Sequence, residues 1–466
     1  MKKLVYIIIV ALVAINCSNK EGENKTSLES SKNKEIVEQF FQALETENFE
    51  VLLDIFHPEG RQLNPYVPAG FPMSFEGSYA IYTQYRSLPN MFSSMKFPRK
   101  IVATEDPDLF YVEFKGEIDI KGGGTYKNDY LGTFRLKDGK IIEYTEVFNP
   151  LVMAKAFNIP LDANAKPTVK KKRVAFESNG SQLIGFLNLP PDYEEGKKYP
   201  AIVVGGSWTT VKEQMAGLYA EKLAQEGYVT LAFDHRNFGE SEGEPRFVED
   251  PDKKTEDFNN AVAYLASLPM VDKEKTGGMG VCASGGYMAK AVAENDQFKA
   301  YAMVVPWFNT DAVVNAFYGG EEGINDRITK SKNAMKRFEA SGEMDYTLSI
   351  SDTDPSAAMF GPFEYYLNPE IGQVPNWSAD KFALASWEPW LTYRPVGYAE
   401  QIEAPTLMIT SQNAATPAAD EEFFAKLKGP KEIKWLEGGQ LDFYHKPEQV
   451  NQSVSLISDH FDQYLK

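Results

Sequence analysis

The sequence has 466 residues, more than one hydrophobic core organises, so at least two domains are expected. Hydrophobic residues make up 43% and charged residues 24%, an ordinary globular balance, and a net charge of -18 repels phosphate backbones and so argues against nucleic-acid partners. The 24 tyrosines and 30 phenylalanines are ample material for cores and for an aromatic-lined pocket.

Lys2 and Lys3 form a basic head before an apolar run from Leu4 to Ile15. That run is too short to span a bilayer and has the length of a secretion h-region. It ends at Ala14-Ile15-Asn16-Cys17, followed by the polar Ser18-Asn19-Lys20-Glu21. The stretch resembles a bacterial lipobox, with Asn16 where Gly, Ala or Ser is usual. The resemblance implies a lipoprotein signal peptide over residues 1–17, lipidation of Cys17, and membrane attachment through that N-terminal lipid. Ser18 after the cysteine implies sorting to the outer membrane of a Gram-negative cell envelope. The alternative is a plain signal peptide in which Cys17 is incidental. Only two cysteines are present, so with Cys17 lipidated the mature chain has no disulfide framework. Cys282 is then a lone thiol, either buried and inert or retained for reactivity.

Residues 18–32 are rich in Ser, Glu, Asn and Lys and read as a tether. A helical stripe follows at Ile36, Val37, Phe40, Phe41 and Leu44, and a shorter one at Phe49, Leu52, Leu53 and Phe56. Strand-like runs occupy Phe110 to Ile120, Tyr126 to Leu136 and Ile141 to Phe148, with Lys137-Asp138-Gly139-Lys140 as a hairpin turn. Helices first and an antiparallel meander afterwards make an α+β domain. Val37-x-x-Phe40-Phe41-x-Ala43-Leu44, Asn48-Phe49, Tyr126-x-Asn128-x-Tyr130, Gly139-Lys140-Ile141 and Glu146-Val147-Phe148-Asn149-Pro150 resemble the SnoaL-like branch of the nuclear-transport-factor-like cone fold, over residues 33–155. Some members of that family are isomerases or cyclases that use an Asp or His in the cone. The candidates here are His57, Asp119, Asp129 and Glu146, none with a distinctive sequence neighbourhood. A small ligand pocket or an interface is therefore expected ahead of catalysis.

Residues 156–172 are Pro- and Lys-rich and read as a linker. Over residues 173–466 buried strands alternate with helices. Val174 to Phe176 and Leu183 to Leu189 form an antiparallel pair, and Pro200 to Val204, Tyr228 to Phe233, the strand ending at Gly280, Ala300 to Val305 and Pro405 to Thr410 form a series. Continuous apolar strands of this kind predict a doubly wound, mostly parallel α/β sheet covered on both faces. An aromatic-rich insertion at about 307–401 is expected to cap the pocket.

Two stretches compete for a nucleophile position. Gly239-Glu240-Ser241-Glu242-Gly243 has the G-x-S-x-G spacing but lacks the strand-turn-helix context and is followed by Pro245. Gly280-Val281-Cys282-Ala283-Ser284-Gly285-Gly286-Tyr287 has that context, with a helix expected to begin near Gly285. A helix N-terminus there would stabilise a thiolate. Cys282 is favoured over Ser284, because reading Ser284 as nucleophile would place Cys282 at the crowded small-residue position. This elbow resembles the dienelactone-hydrolase-like branch of the α/β-hydrolases, from about residue 170 to the C-terminus. The resemblance implies a Cys282 nucleophile, the Ala283 N–H as one oxyanion donor, and a second from Ser207 or Trp208 in Gly205-Gly206-Ser207-Trp208.

The family's remaining triad positions depart from its pattern. Asn413 in Asn413-Ala414-Ala415-Thr416-Pro417 stands where the acid is expected, and Gln440 stands where the histidine is expected. The chain has four histidines. His445 lies five residues beyond Gln440 in the same loop, His235 follows an earlier strand, His57 is in the other domain and His460 is in the last helix. Asp311, after a later strand, is an alternative acid. A Cys282–His445–Asn413 set is chemically workable, since the third member chiefly orients the imidazole.

Three functions fit these residues: hydrolysis of a small ester, thioester or lactone through Cys282; a triad-deficient binding or scaffold lipoprotein; or isomerase-like chemistry in the cone. All three imply a small-molecule substrate or ligand. The histidines are scattered, H-E-x-x-H and paired cysteines are missing, and no dinucleotide fingerprint or phosphate loop occurs, so neither a metal nor a cofactor is implied.

Overall fold

The computed structural model describes residues 29–68, 71–157, 159, 169–374 and 376–466. The lipobox with Cys17, most of the tether and most of the linker lie outside them. Two compact units divide at Thr168 and Val169.

In the first unit, helix α1 (29–45) buries Val37, Phe40, Phe41 and Leu44, the stripe set by their 3.6-residue spacing. Helix α2 (Val51–Ile55) leads into strand β1 (Phe56–Leu63), followed by β2 (Ser74–Glu76) and helix α3 (Ser78–Arg86). Strands β3 (Phe92–Lys96), β4 (Arg99–Ala103), β5 (Leu109–Ile120), β6 (Thr125–Lys137) and β7 (Lys140–Phe148) complete a seven-stranded sheet of order β2-β1-β7-β6-β5-β3, with β4 also on β5. Strand β5 buries Phe110, Val112, Phe114, Gly116 and Ile118 while Tyr111, Glu113, Lys115 and Glu117 face outward, so one face meets the helices. The β6–β7 turn holds Asp138 at φ 51° and Gly139 at φ 71°, the positive pair of a tight hairpin. Phe40 packs edge-on against Phe134 at 5.3 Å, linking α1 to β6. Helix α4 (Pro150–Ala156) starts behind Asn149, whose side chain accepts the Leu151 N–H.

The second unit holds an eight-stranded sheet of order β19-β18-β13-β12-β10-β11-β9-β8. Its strands are β8 (Lys170–Ser178), β9 (Ser181–Leu189), β10 (Tyr199–Gly205), β11 (Val229–Phe233), β12 (Val271–Val281), β13 (Ala300–Val304), β18 (Thr406–Thr410) and β19 (Lys431–Trp435). The strands from β11 to β19 run parallel, while β8 and β9 pair antiparallel at one edge. Strands β11, β13 and β18 are buried at every position, which accounts for sequences that are apolar apart from Thr230, Thr406 and Thr410. Helices α5 (Met215–Gln225), α6 (Pro251–Ser267), α7 (Ala283–Glu294), α12 (Pro417–Lys426) and α14 (Pro447–Leu465) cover the sheet, and the short α13 (Asp442–His445) precedes α14. This is the α/β class expected from the alternating sequence.

Between β13 and β18 lies the insertion. It contains helices α8 (Asp311–Phe317), α9 (Gly320–Ser341), α10 (Glu364–Leu367) and α11 (Trp387–Thr392). Two small ladders pair β14 (Tyr346–Thr347) with β17 (Phe382–Ala383) and β15 (Ile350–Ser351) with β16 (Met359–Phe360). No helix among the described residues is long and apolar enough to cross a membrane.

Candidate active site

Strand β12 ends at Val281 and α7 begins at Ala283, two residues earlier than the sequence pattern placed it. Cys282 alone makes the turn, at φ 54° and ψ -121°, a conformation that non-glycine residues hold only when their surroundings fix it. Here its N–H donates to Val304 O at 3.1 Å, and its carbonyl accepts from Gly285 N at 2.9 Å and Trp307 N at 2.9 Å. Gly280 permits the turn, since a Cβ there would come within 2.5 Å of Ser284 O.

The sulfur faces the Tyr444 hydroxyl, the Gln440 amide and the backbone N–H groups of Ala283 and Trp208. Burial pushes the Cys282 thiol up to about 11, and these four donors pull in the opposite direction. Of the two residues offered as second oxyanion donor, Trp208 presents its N–H. Ser207 does not: its N–H donates to Met215 Sδ at 3.4 Å and its hydroxyl pairs with Tyr366.

Buried charges hold the loop carrying Trp208. The Thr209 N–H donates to Glu249 Oε2 at 2.9 Å, and the same carboxylate takes the Tyr287 hydroxyl of α7 at 2.5 Å and Lys254 at 2.7 Å. Lys212 Nζ reaches Glu213 at 2.7 Å, Asp234 at 2.8 Å and Glu240 at 2.6 Å. The cavity above the sulfur measures about 280 Å³ and is walled by Trp208, Trp307, Phe317, Tyr318, Met359, Phe360, Phe363, Tyr366 and Trp390, with Gln440 and Tyr444 at its polar end. Phe317 and Phe360 are 53% and 51% exposed and so form its rim.

Several expected partners are not brought to this sulfur. His445 ends α13 with Nδ1 3.1 Å from Leu441 O and its ring against Tyr365, outside the cavity lining. Asn413 is exposed, and its backbone bridges to Gly439. His235 is buried between Phe233 and Phe258 with Nδ1 3.3 Å from Asp257, and burial lowers its pKa. Asp311 has an 88% exposed side chain and pairs with Arg394 at 2.9 Å. Ser284 lies two residues into α7, packed where a Gly205 Cβ would meet its hydroxyl at 2.7 Å, below the turn. Ser241 donates to Asp234 O at 2.6 Å and accepts the Ile184 N–H, so the G-x-S-x-G stretch closes a loop. Among the described residues no imidazole lines the cavity.

Sequence reasoning missed Tyr444 and Tyr366. Tyr444 lies four residues after Gln440 across one short helical turn, a spacing that places both side chains on one side. Tyr366 belongs to the insertion and carries no such signal.

The cone candidates also separate. Asp119 is exposed, and the Ser94 and Thr125 hydroxyls lower its pKa; Asp129 is exposed and pairs with Lys115. His57 Nδ1 accepts the Glu59 N–H. Glu146 is half-buried and accepts the Tyr144 hydroxyl, and burial raises its carboxyl to about 7.

Comparison with known proteins identifies both parts. Residues 37–144 match the SnoaL-like domain, and residues 183–337 match the X-Pro dipeptidyl-peptidase (S15 family) model. The chain is a SnoaL-like domain followed by an α/β-hydrolase domain. Protein YcjY of Escherichia coli is 30% identical over 313 residues, spanning 63% of this chain and 99% of YcjY. The crystal structure of protein PA2218 from Pseudomonas aeruginosa has a TM-score of 0.58 at 29% identity, covering 66% of this chain and 96% of that one. Thiohydrolase aneE of Aspergillus aculeatus is 27% identical over 254 residues, 51% of this chain and 77% of aneE. Through its second unit the chain belongs to the α/β-hydrolase family that includes YcjY.

Proposed function

We propose that the second unit hydrolyses a small ester, thioester or lactone with an apolar acyl part through an acyl-Cys282 intermediate. The observation that carries this reading is the Cys282 sulfur on its turn, facing the N–H groups of Ala283 and Trp208 beneath an aromatic cavity. The sulfur attacks the carbonyl carbon, and the developing oxyanion takes those two N–H groups. The leaving alcohol or thiol departs with the thiol proton, and water then cleaves the enzyme thioester to release the acid. Similarity to a protein named thiohydrolase supports the thioester alternative.

The test is turnover of short acyl esters and thioesters, together with intact-mass detection of an acyl adduct. Cys282→Ala is expected to abolish both, and wild-type turnover in that variant would end the proposal. A second reading, a non-catalytic binding protein, is favoured by Gln440 standing in place of the imidazole. Its signature is ligand binding in the cavity with no acyl adduct and no turnover. We also propose that Cys17 is lipidated and anchors the chain in the envelope; loss of metabolic palmitate labelling in Cys17→Ser tests this, and unchanged labelling refutes it.

A further inference from the structure

We propose that Tyr444 is a catalytic residue, a role that rests on the acyl-Cys282 reading: its hydroxyl carries the thiol proton from the sulfur to the leaving group.

The proton needs a carrier because the cavity supplies no base. Its walls are mostly aromatic, and among the described residues no imidazole, carboxylate or amine lines it. The thiol is pushed up to about 11, so at neutral pH its proton is still on the sulfur when attack begins. At the sulfur stand the Tyr444 hydroxyl, the Gln440 amide and the backbone N–H groups of Ala283 and Trp208. The amide and the two backbone groups donate hydrogen bonds but keep their protons. Only the hydroxyl can take one proton and release another in the same step. The other tyrosine hydroxyls of the cavity are engaged elsewhere: Tyr318 accepts the Trp390 indole N–H at 2.6 Å, and Tyr366 pairs with Ser207.

The surrounding packing fixes this hydroxyl. Tyr444 is buried in α13, and its ring meets those of Tyr365 at 5.3 Å and Tyr366 at 6.2 Å, both nearly perpendicular. The Tyr219 hydroxyl of α5 donates to Phe443 O at 2.8 Å and ties the α13 backbone in place. Gln440 sets the polarity, since its Nε2 donates to the Tyr444 hydroxyl as well as to Val305 O. One lone pair of the hydroxyl is thereby occupied, leaving its hydrogen and the second lone pair for the reacting atoms. Burial, with the thiol beside it, holds the phenol protonated, so it exchanges protons rather than acting as a base of its own.

In acylation the sulfur bonds to the carbonyl carbon as its proton passes to the Tyr444 oxygen. The Tyr444 hydrogen passes to the alcohol oxygen or thiol sulfur whose bond to that carbon breaks. The developing oxyanion stays on the Ala283 and Trp208 N–H groups throughout. In deacylation the water oxygen bonds to the carbonyl carbon and gives a proton to the Tyr444 oxygen, and the Tyr444 hydrogen returns to the departing Cys282 sulfur. Thiol and phenol are both restored, with no net charge left on the tyrosine.

The experiment compares kcat/KM of the full chain and its Tyr444→Phe variant on S-ethyl, S-phenyl and S-para-nitrophenyl butanethioate. Iodoacetamide alkylation of Cys282 is the reference, because iodide leaves without a proton. The S-ethyl substrate, whose leaving thiolate is the most basic, is expected to lose roughly 10²-fold in the variant. The loss is expected to shrink along the series until the S-para-nitrophenyl substrate loses no more than alkylation does. A uniform loss that matches the alkylation loss would overturn the proposal and leave Tyr444 as a donor to the thiolate only. Wild-type rates in mixtures of light and heavy water make the test independent of how the variant folds. Their dependence on deuterium content should be more strongly bowed for the S-ethyl than for the S-para-nitrophenyl substrate, and identical curves would overturn the proposal. Turnover retained in Cys282→Ala, or no turnover by the wild type, ends the acyl-Cys282 reading and this role together. Cys282-dependent turnover without leaving-group dependence ends this role alone.

Discussion

Gln440 stands beside the Cys282 sulfur with its amide fixed at three points. Its Oε1 accepts the Ala415 N–H at 2.9 Å, and its Nε2 donates to Val305 O at 2.8 Å and to the Tyr444 hydroxyl at 3.2 Å. A carboxamide held this way neither takes up a proton nor carries charge. The expected consequence is slow acyl transfer that one substitution accelerates. Gln440→His should raise Cys282-dependent kcat/KM by roughly 10²-fold, the lower end of what a positioned general base contributes. A new inflection between about pH 6 and 7 should accompany the gain. Steady-state kinetics across pH reads both, and an unchanged profile would show that the position does not serve the sulfur.

The thiol itself sets a second expectation. With Cys282 pushed up to about 11, its thiolate is scarce at neutral pH. Alkylation by iodoacetamide should therefore speed up about tenfold per pH unit from pH 7 to pH 10, with no plateau near 8.5. Tyr444→Phe removes one donor from the sulfur and should lower the thiolate fraction further. A rate that levels off below pH 9 would mean that an unseen group stabilises the thiolate.

The parts of this site that the sequence made legible are those fixed by backbone geometry. Gly280, Cys282 and Gly285 announce a strand-turn-helix, because only small residues close that turn, and Gly205-Gly206 announces the facing loop. The buried parallel strands were equally plain, since every residue in them except Thr230 is apolar for the same physical reason. Side chains supplied from distant segments were not legible. Tyr366 comes from the insertion, and the choice of Trp208 over Ser207 depends on where Met215 directs its sulfur. His445 was the natural candidate by distance along the chain, yet the turn of α13 directs its ring to Tyr365.

Glu249 links α7 to the loop of Trp208, so its partners should differ in importance. Tyr287→Phe removes one hydrogen bond to a charged acceptor and should cost about 1.5–3 kcal/mol. Glu249→Gln leaves Lys254 buried without its carboxylate and should cost more, about 3–5 kcal/mol. Both should also depress kcat, because the Thr209 N–H that fixes the neighbouring Trp208 loses its anchor or its rigidity. Urea unfolding and kinetics on the two variants check the order. A larger cost for Tyr287→Phe would contradict it.

Asp420 offers a stability test remote from the chemistry. It is 0% exposed in α12; the Thr410 hydroxyl donates to Oδ2 at 2.5 Å, while Oδ1 has no partner among the described residues. Burial raises its carboxyl to about 8. The folded pKa thus lies above that of the unfolded chain, about 3.9. Between those two values the unfolded state releases a proton that the native state keeps, so native stability falls as pH rises from 4 to 8. Asp420→Asn keeps the shape and removes that dependence. It should stabilise the protein by roughly 2–4 kcal/mol at pH 8 and by close to nothing at pH 4. Urea midpoints at the two pH values decide the matter, and a gain of equal size at both would show that packing, not ionisation, is responsible.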